Sequence, residues 1–308
     1  MPERIIAPRQ AAWNILMASN TETGVLRKIF IVFRAYSWPA SLVPVVIGTV
    51  AAARDAAISW PAFWLTFAAA LLTHSAANLA NTYFDWRNGV DRAETADDRG
   101  ILDGLIGGRA APYAAVSMFA AAGLIGLWLA WSRSVPELVA LGAAGFALAW
   151  FYTADGSAYK YRALGEIGIF LAFGPLITGG TALIQSGRLD AWPFLLSVPV
   201  GLLIVAILHA NNMRDAAGDR AAGISTLAMK AGPAAALAVY RALVLAPFLV
   251  AALYGLKWAF LAPLLSLPLA LRLIALARGG RFTELVPATA GLVTAFGLLF
   301  ATGLHLSI

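Results

Sequence analysis

Cysteine is absent from the 308-residue chain. That excludes a disulfide framework, a thiolate nucleophile and any Cys-built zinc or iron–sulfur centre. Histidine occurs 3 times, too rarely for a His-rich metal site. Charge is scarce as well: 12% of residues carry one, against roughly 25% in soluble domains, while 60% are hydrophobic. A soluble domain of this length must clothe itself in polar groups, and this one has too few to do so. Its apolar solvent is a lipid bilayer. The 22 basic residues outnumber the 16 acidic ones, a balance that would suit nucleic acid if it were spread over a soluble surface. The charges are not arranged that way, so no nucleic-acid partner is expected.

What is present is apolar sequence in long runs. A helix needs roughly 20 apolar residues to cross a bilayer, and nine such stretches recur, at 29–53, 60–83, 111–132, 135–153, 164–184, 192–212, 233–254, 257–276 and 285–306. The pattern predicts an all-α polytopic membrane protein with nine transmembrane helices. Residues 1–28 form a cytoplasmic N-terminal segment and 29–308 a single transmembrane domain. The first 28 residues carry Arg4, Arg9, Arg27 and Lys28 and lack the apolar centre of a cleavable signal peptide. Of the 22 basic residues, 18 fall in the N-terminal segment, in alternate connections and at the helix ends beside them. Only Arg54, Arg133, Arg188 and Lys257 lie on the other side. The positive-inside rule then places the N-terminus in the cytoplasm and the C-terminus outside, in an inner, cytoplasmic membrane. Trp60, Trp131, Trp192 and Trp258 fall near the outer ends of spans and Trp38, Trp86 and Trp150 near the inner ends, as an interfacial aromatic belt does.

Two spans end in acidic motifs. The second runs into NLANTYFDWRNGVD (78–91), where Asn81 and Asp85 share a helix face and Gly89 favours a helix exit that folds Asp91 back. The sixth ends in HANNMRDAAGDR (209–220), with Asn211, Asp215 and Asp219 on one stripe. The motifs echo each other about 130 residues apart, as a weak internal duplication would. A charge at the bilayer centre costs at least about 2.5 to 3.5 kcal/mol even on lenient scales, so acids on these span ends need a reason to be there. Carboxylates and amides suit a hard divalent cation bridging protein to a phosphorylated ligand, and magnesium is the natural choice. Caps and solvated loop acids are the plainer alternative.

Basic residues stand beside the acids: Arg87, Arg92 and Arg99 after the first motif, Arg214 and Arg220 within the second. Lys160 and Arg162 lie in YTADGSAYKYRALGE (152–166), with Tyr152 and Tyr159 close in sequence. Fixed cations stabilise charge that develops on a leaving diphosphate. The candidate catalytic set is Asp85, Asp91, Asp215, Asp219 and Lys160. Asn78, Asn81, Arg99, Tyr152, Asn211 and Arg214 are candidates for substrate binding. Asn81, Asp85, Asp91, Asn211, Asp215 and Asp219 are the candidate metal ligands. His209, just before Asp215, is a candidate for proton removal or for plain hydrogen bonding, and His74 is a weaker one. Gly174, Pro175, Gly179 and Gly180 suit close helix packing or a tunnel wall.

At these motifs, and in DDRGILDGL (97–105), YKYRALGEIGIFLAFGP (159–175) and ILHANNMRDAAGDRAAGISTLA (207–228), the sequence resembles the UbiA superfamily of intramembrane aromatic prenyltransferases. It looks most like the branch that prenylates 1,4-dihydroxy-2-naphthoate in menaquinone biosynthesis and the related vertebrate menaquinone-4 enzyme. The resemblance implies a nine-helix bundle whose central cavity opens to the cytoplasm. It also implies Mg²⁺ as cofactor, with a polyprenyl diphosphate, an aromatic acceptor and the lipid bilayer as partners. It places Asn81, Asp85 and Asp91 on the first Asp motif, Asp215 and Asp219 on the second, and Tyr152 with Lys160 on the diphosphate and acceptor segment. The first motif has the naphthoate-type spacing, with five residues between its aspartates, against three in the ubiquinone- and haem-type branches. Thr82 replaces an Asp of other branches, while Asp155 and Ser157 replace an expected Gly-rich turn. Other acceptors, such as homogentisate, a chlorophyllide or a lipid precursor, remain alternatives. So does a secondary transporter with acids at an ion site.

Overall fold

The computed structural model describes residues 24–90, 99–154, 158–221 and 223–307. They are helical almost throughout, and the only strand-type pairing among them is one isolated parallel bridge between Arg162 and Ser225. The chain enters through α1 (Gly24–Val32) and a 3₁₀ turn (Ala35–Ser37). Then come α2 (Pro39–Ala52), α3 (Trp60–Arg87), α4 (Ala110–Ser132) and α5 (Glu137–Phe151). Pro39 begins α2 and Pro61 lies in the first turn of α3, positions where a missing N–H costs nothing. The next crossing is α6 (Gly165–Leu171), a π turn (Ala172–Leu176) and α7 (Ile177–Ser186). Pro175 lies inside that π turn, where its lack of an N–H disturbs the regular ladder. Gly187, in the left-handed region at φ 70°, ends α7.

The second half comprises α8 (Ala191–Leu196), α9 (Val198–Ala221), α10 (Leu227–Ala231) and α11 (Pro233–Leu253). It closes with α12 (Lys257–Leu261), a 3₁₀ segment (Ala262–Ser266), α13 (Leu267–Arg278) and α14 (Phe282–His305). The Asp190 carboxylate caps α8 by accepting from Trp192 N at 3.0 Å, and the Thr226 hydroxyl caps α10.

Eight helical stretches among the described residues are long and apolar enough to cross a membrane. The ninth expected span, 135–153, differs: α5 is apolar but has 15 residues, about 22 Å of helix against a hydrocarbon layer of about 30 Å. At the motifs the helices of spans two and six run on past 83 and 212, to Arg87 and Ala221, so Asn81 with Asp85, and Asn211 with Asp215 and Asp219, lie on helix as their spacing implied.

Packing is uneven. One large apolar core joins α2, α9, α11, α13 and α14 around Ile47, Leu203, Tyr240, Leu273, Phe296 and Phe300. By contrast, α5 buries none of its residues. The expected small-residue positions divide between two uses. Gly174 lies 3.3 Å from the Gly201 Cα by the position of an added Cβ, and Gly179 lies against the Phe194 ring. Those two permit close helix approach, whereas Gly180 lines an internal cavity.

Candidate active site

Asn81 and Asp85 lie on the last turns of α3, one turn apart, and face the 3₁₀ turn Tyr159–Tyr161. Lys160 Nζ donates to both Asp85 oxygens at 2.7 Å and to Asn81 Oδ1 at 2.5 Å. The Tyr161 hydroxyl donates to Asp85 Oδ1 at 2.6 Å. The ammonium also lies 4.8 Å from the Tyr161 ring centre and 5.7 Å from that of Tyr152, within cation–π range. Asp85 is only 7% exposed. A buried carboxylate is tolerable because it is paired and hydrogen-bonded, and removing either partner leaves an uncompensated charge.

The turn that carries Lys160 is fixed locally. Lys160 N donates to Tyr152 O at 3.3 Å, and Ala163 takes a positive φ of 60° that reverses the chain into α6. The Tyr159 hydroxyl donates to the Leu148 carbonyl of α5 at 2.8 Å. Burial pushes this phenol up to about 12, so it stays a neutral donor.

The second motif meets the first from α9. Asp219 lies within electrostatic reach of Asp215, Lys160, Asp85 and Arg214, which places both acidic motifs around one centre. Arg214 grips its neighbour Asp215 through two bonds of 2.8 Å. The Arg162–Ser225 bridge ties the lysine turn to the segment that follows α9. Asn211 Oδ1 is buried with no hydrogen-bond partner and lines the cavity below. Asp91, Arg92, Asp155 and Ser157 lie outside the described residues. Gly89, at φ 68°, ends α3 as the sequence suggested. Among the described residues no three His, Asp or Glu side chains converge as a ready metal group, since Asp85 and Asp215 are turned towards cations of the protein.

Below this centre a cavity of about 810 Å³ opens between α3, α4, α5 and α7. Asn78, Asn81, Asn211 and Tyr152 line its upper end, Arg34, Ser37, Ser41 and His74 add polar groups, and the remainder is mostly apolar. Asn78 donates to the Phe33 carbonyl at 3.1 Å, while the Thr82 hydroxyl donates back to the Asn78 carbonyl at 3.0 Å. Arg99 does not join the described centre. It forks onto Asp103, with contacts of 2.8 to 3.1 Å.

The histidines exchange the places their sequence neighbours suggested. His209 is fully buried outside the cavity wall, 3.2 Å from Glu166 Oε1 and 3.0 Å from the Ala236 carbonyl, and plays the hydrogen-bonding role. His74 lines the cavity. Ser37 Oγ donates to the Arg34 carbonyl at 2.7 Å, so at 3.0 Å it accepts from His74 Nε2. The other ring nitrogen accepts from Ser41 at 2.7 Å, which completes a neutral imidazole. Arg34, in a left-handed turn at φ 51°, lines the same cavity. Sequence reasoning passed over Arg34, Tyr161 and Glu166. Tyr161 alone carried a legible signal, as the residue following Lys160.

Comparison with known proteins decides the family. The model of the UbiA prenyltransferase family matches residues 41–290, which include both motifs and Lys160. The chain belongs to the UbiA prenyltransferase family. It is therefore a prenyltransferase enzyme of the membrane. Similar UbiA proteins include the UbiA prenyltransferase domain-containing protein 1 of Xenopus tropicalis, 33% identical over 89% of this chain and 80% of that protein. The Drosophila melanogaster homolog is 35% identical over 89% of this chain and 78% of its own length. Among solved UbiA folds, a homolog from Archaeoglobus fulgidus bound to GPP and Mg²⁺ superposes with a TM-score of 0.60 at 15% identity, covering 90% of this chain and 99% of that one. The apo homolog from Aeropyrum pernix K1 gives 0.65 at 19%, covering 88% and 97%. At such identities the structures establish the shared fold.

Proposed function

We propose that the enzyme transfers a polyprenyl group from a polyprenyl diphosphate to 1,4-dihydroxy-2-naphthoate, with Mg²⁺ as cofactor. The observation that carries this reading is the meeting of Asn81, Asp85, Lys160, Asp215 and Asp219 at the mouth of an apolar cavity. The donor atoms suit the ion: they are carboxylate and amide oxygens, and the buried Asn211 Oδ1 has an unfilled acceptor position. Asn81, Asp85, Asp91, Asn211, Asp215 and Asp219 would hold it. Bound Mg²⁺ offsets charge on the diphosphate oxygens.

The protein's own groups do the rest. In the described arrangement Lys160 and Arg214 neutralise Asp85 and Asp215. With diphosphate and metal bound, Lys160 and Arg214 would be the cations available to its oxygens and Asp85 and Asp215 the carboxylates available to the metal, an exchange that would leave no charge unpaired. The bond from the allylic carbon to oxygen breaks, and the electron pair leaves with diphosphate. Apolar walls exclude water from the allylic cation. An electron-rich ring carbon supplies the electrons of the new bond; the group already on that carbon then leaves without its bonding pair, a hydrogen as H⁺ or a carboxylate as CO₂, and that pair restores the aromatic ring. Ring activation makes a strong base unnecessary, in keeping with a neutral His74 whose two nitrogens are already engaged.

The five-residue spacing between Asp85 and Asp91 supports the naphthoate acceptor, and the basic residues that accompany this end of the bundle support its placement towards the cytoplasm. The test is Asp85→Asn and Asp215→Asn in purified protein, assayed with Mg²⁺, a prenyl diphosphate and 1,4-dihydroxy-2-naphthoate. Each variant should lose at least about 100-fold in turnover. Unchanged turnover in both would remove the motifs from the chemistry. Product from a different aromatic ring and none from the naphthoate would correct the acceptor alone.

A further inference from the structure

The cavity has a floor. Asn81 and Thr66 both line it and stand 15 residues apart on α3, so it descends about 22 Å, most of a hydrocarbon layer. At its lower end Leu129 of α4, Leu138 of α5 and Ile184 of α7 belong to a small apolar cluster with Ala62, separate from the main core. Polar contacts brace that cluster from beneath. Arg133 donates to the Ile184 and Gln185 carbonyls at 2.9 and 3.1 Å. Ser59 and Gln185 exchange two hydrogen bonds of 2.8 and 3.2 Å. The floor is thus anchored to α3, α4 and α7 together.

The walls above it are unusually open. A Cβ added at Gly123 or Gly126 of α4, or at Gly142 of α5, would meet nothing within 4 Å, and all three line the cavity. Their missing side chains leave room rather than admit a neighbouring helix. No charged residue lines this lower part, so only hydrocarbon can fill it at low cost.

We infer that the Leu129–Leu138–Ile184 floor is the ruler for the donor's prenyl chain, and that the glycine walls give the chain its path down to it. This rests on the reading that the diphosphate sits at Asp85 and Lys160. A tail that begins there runs down the glycine walls until its far end meets the floor. Chains within that length bury all their units; longer ones must fold back or displace the floor.

Opposed substitutions test this in the purified full chain. Gly126→Leu puts a side chain into open space, where the helix gains propensity and no neighbour is hit. Leu138→Ala lowers the floor at a half-buried position. The readout is kcat/KM for a long all-trans polyprenyl diphosphate divided by that for geranyl diphosphate, with one acceptor. A change in filled apolar space within a pocket is worth at least about ten-fold in discrimination. Gly126→Leu should lower the ratio by about that factor, and Leu138→Ala should raise it for donors beyond the wild-type limit. Ratios moving in opposite directions uphold the ruler, and any other pattern overturns it. Gly123→Leu, on the same wall, replaces Gly126→Leu should that variant fail to fold. Asp85→Asn in the same assay separates the two readings: full turnover in that variant defeats the diphosphate placement, whereas an inactive Asp85→Asn with unchanged donor ratios elsewhere defeats the ruler alone.

Discussion

The bundle has a solid side and a hollow side. On the solid side α2, α9, α11, α13 and α14 interlock around Tyr240, Phe296 and Phe300, all fully buried, with Tyr240 and Thr289 sharing a buried hydrogen bond of 2.7 Å. On the hollow side α3, α4, α5 and α7 surround the cavity, and α5 buries nothing. Both are built from equally apolar sequence, so hydrophobicity does not separate them. In a bilayer, burying apolar surface between helices gains little over leaving it in lipid, and close van der Waals packing has to hold the helices together. The solid side has that packing. The hollow side gives it up, and the room it keeps is what a long apolar substrate requires. Both acidic motifs lie where the two sides meet, one on α3 of the hollow side and one on α9 of the solid side.

The strongest way to sharpen that comparison is to damage the solid side. Phe296 is fully buried, edge-on to Phe248 at 5.1 Å and stacked with Phe300 at 5.9 Å. Phe296→Ala should cost about 3 to 5 kcal/mol through the cavity it leaves. Thermal unfolding in detergent micelles measures this. A loss well under 1 kcal/mol would mean that the solid side is no better packed than the hollow one.

How much of this was legible from sequence follows the same division. Apolar runs and the four-residue spacing of Asn81 with Asp85, and of Asn211, Asp215 and Asp219, are local, and local spacing on a helix fixes a face. The spans and the two stripes could therefore be read. The length of α5 could not, because residues 152–154 are as compatible with helix as with turn until the lysine turn folds against them. Nor could the pairing of Lys160 with Asp85, 75 residues away, which exists only in the folded bundle. Arg99 and Arg214 show the opposite case: partners at i+4 and i+1, Asp103 and Asp215, engage them locally. His209 sits near Asp215 in sequence yet faces Glu166 and α11, while the less promising His74 looks into the cavity. Proximity along a helix says nothing about direction around it.

His74 marks the border between the sides, because α3 holds the entrance turn of α2 through it. His74→Ala takes the hydrogen-bond partner from the Ser41 hydroxyl and one of two from Ser37, which keeps its bond to the Arg34 carbonyl, and removes the ring packed against Phe173 at 5.0 Å. The expected cost is about 1 to 3 kcal/mol, less than that of Phe296→Ala. It is measured by the same unfolding experiment. A cost above that of Phe296→Ala would place the main support of the fold at the border and not in the solid core.

The smallest effect should come from the hollow side itself. Val139, on α5, lines the cavity and is 50% exposed, so Val139→Ala removes methyl groups that touch little protein. Its stability should stay within about 0.5 kcal/mol of the parent. Unfolding in micelles and in lipid nanodiscs gives a direct reading, since either environment wets α5 equally if no helix packs there. A loss approaching 2 kcal/mol in both would show α5 to be held by protein contacts, and the cavity would then be closed on that side. A neutral result leaves α5 as a wall resting against lipid, and makes room for substrate, not helix packing, the reason its residues are unburied.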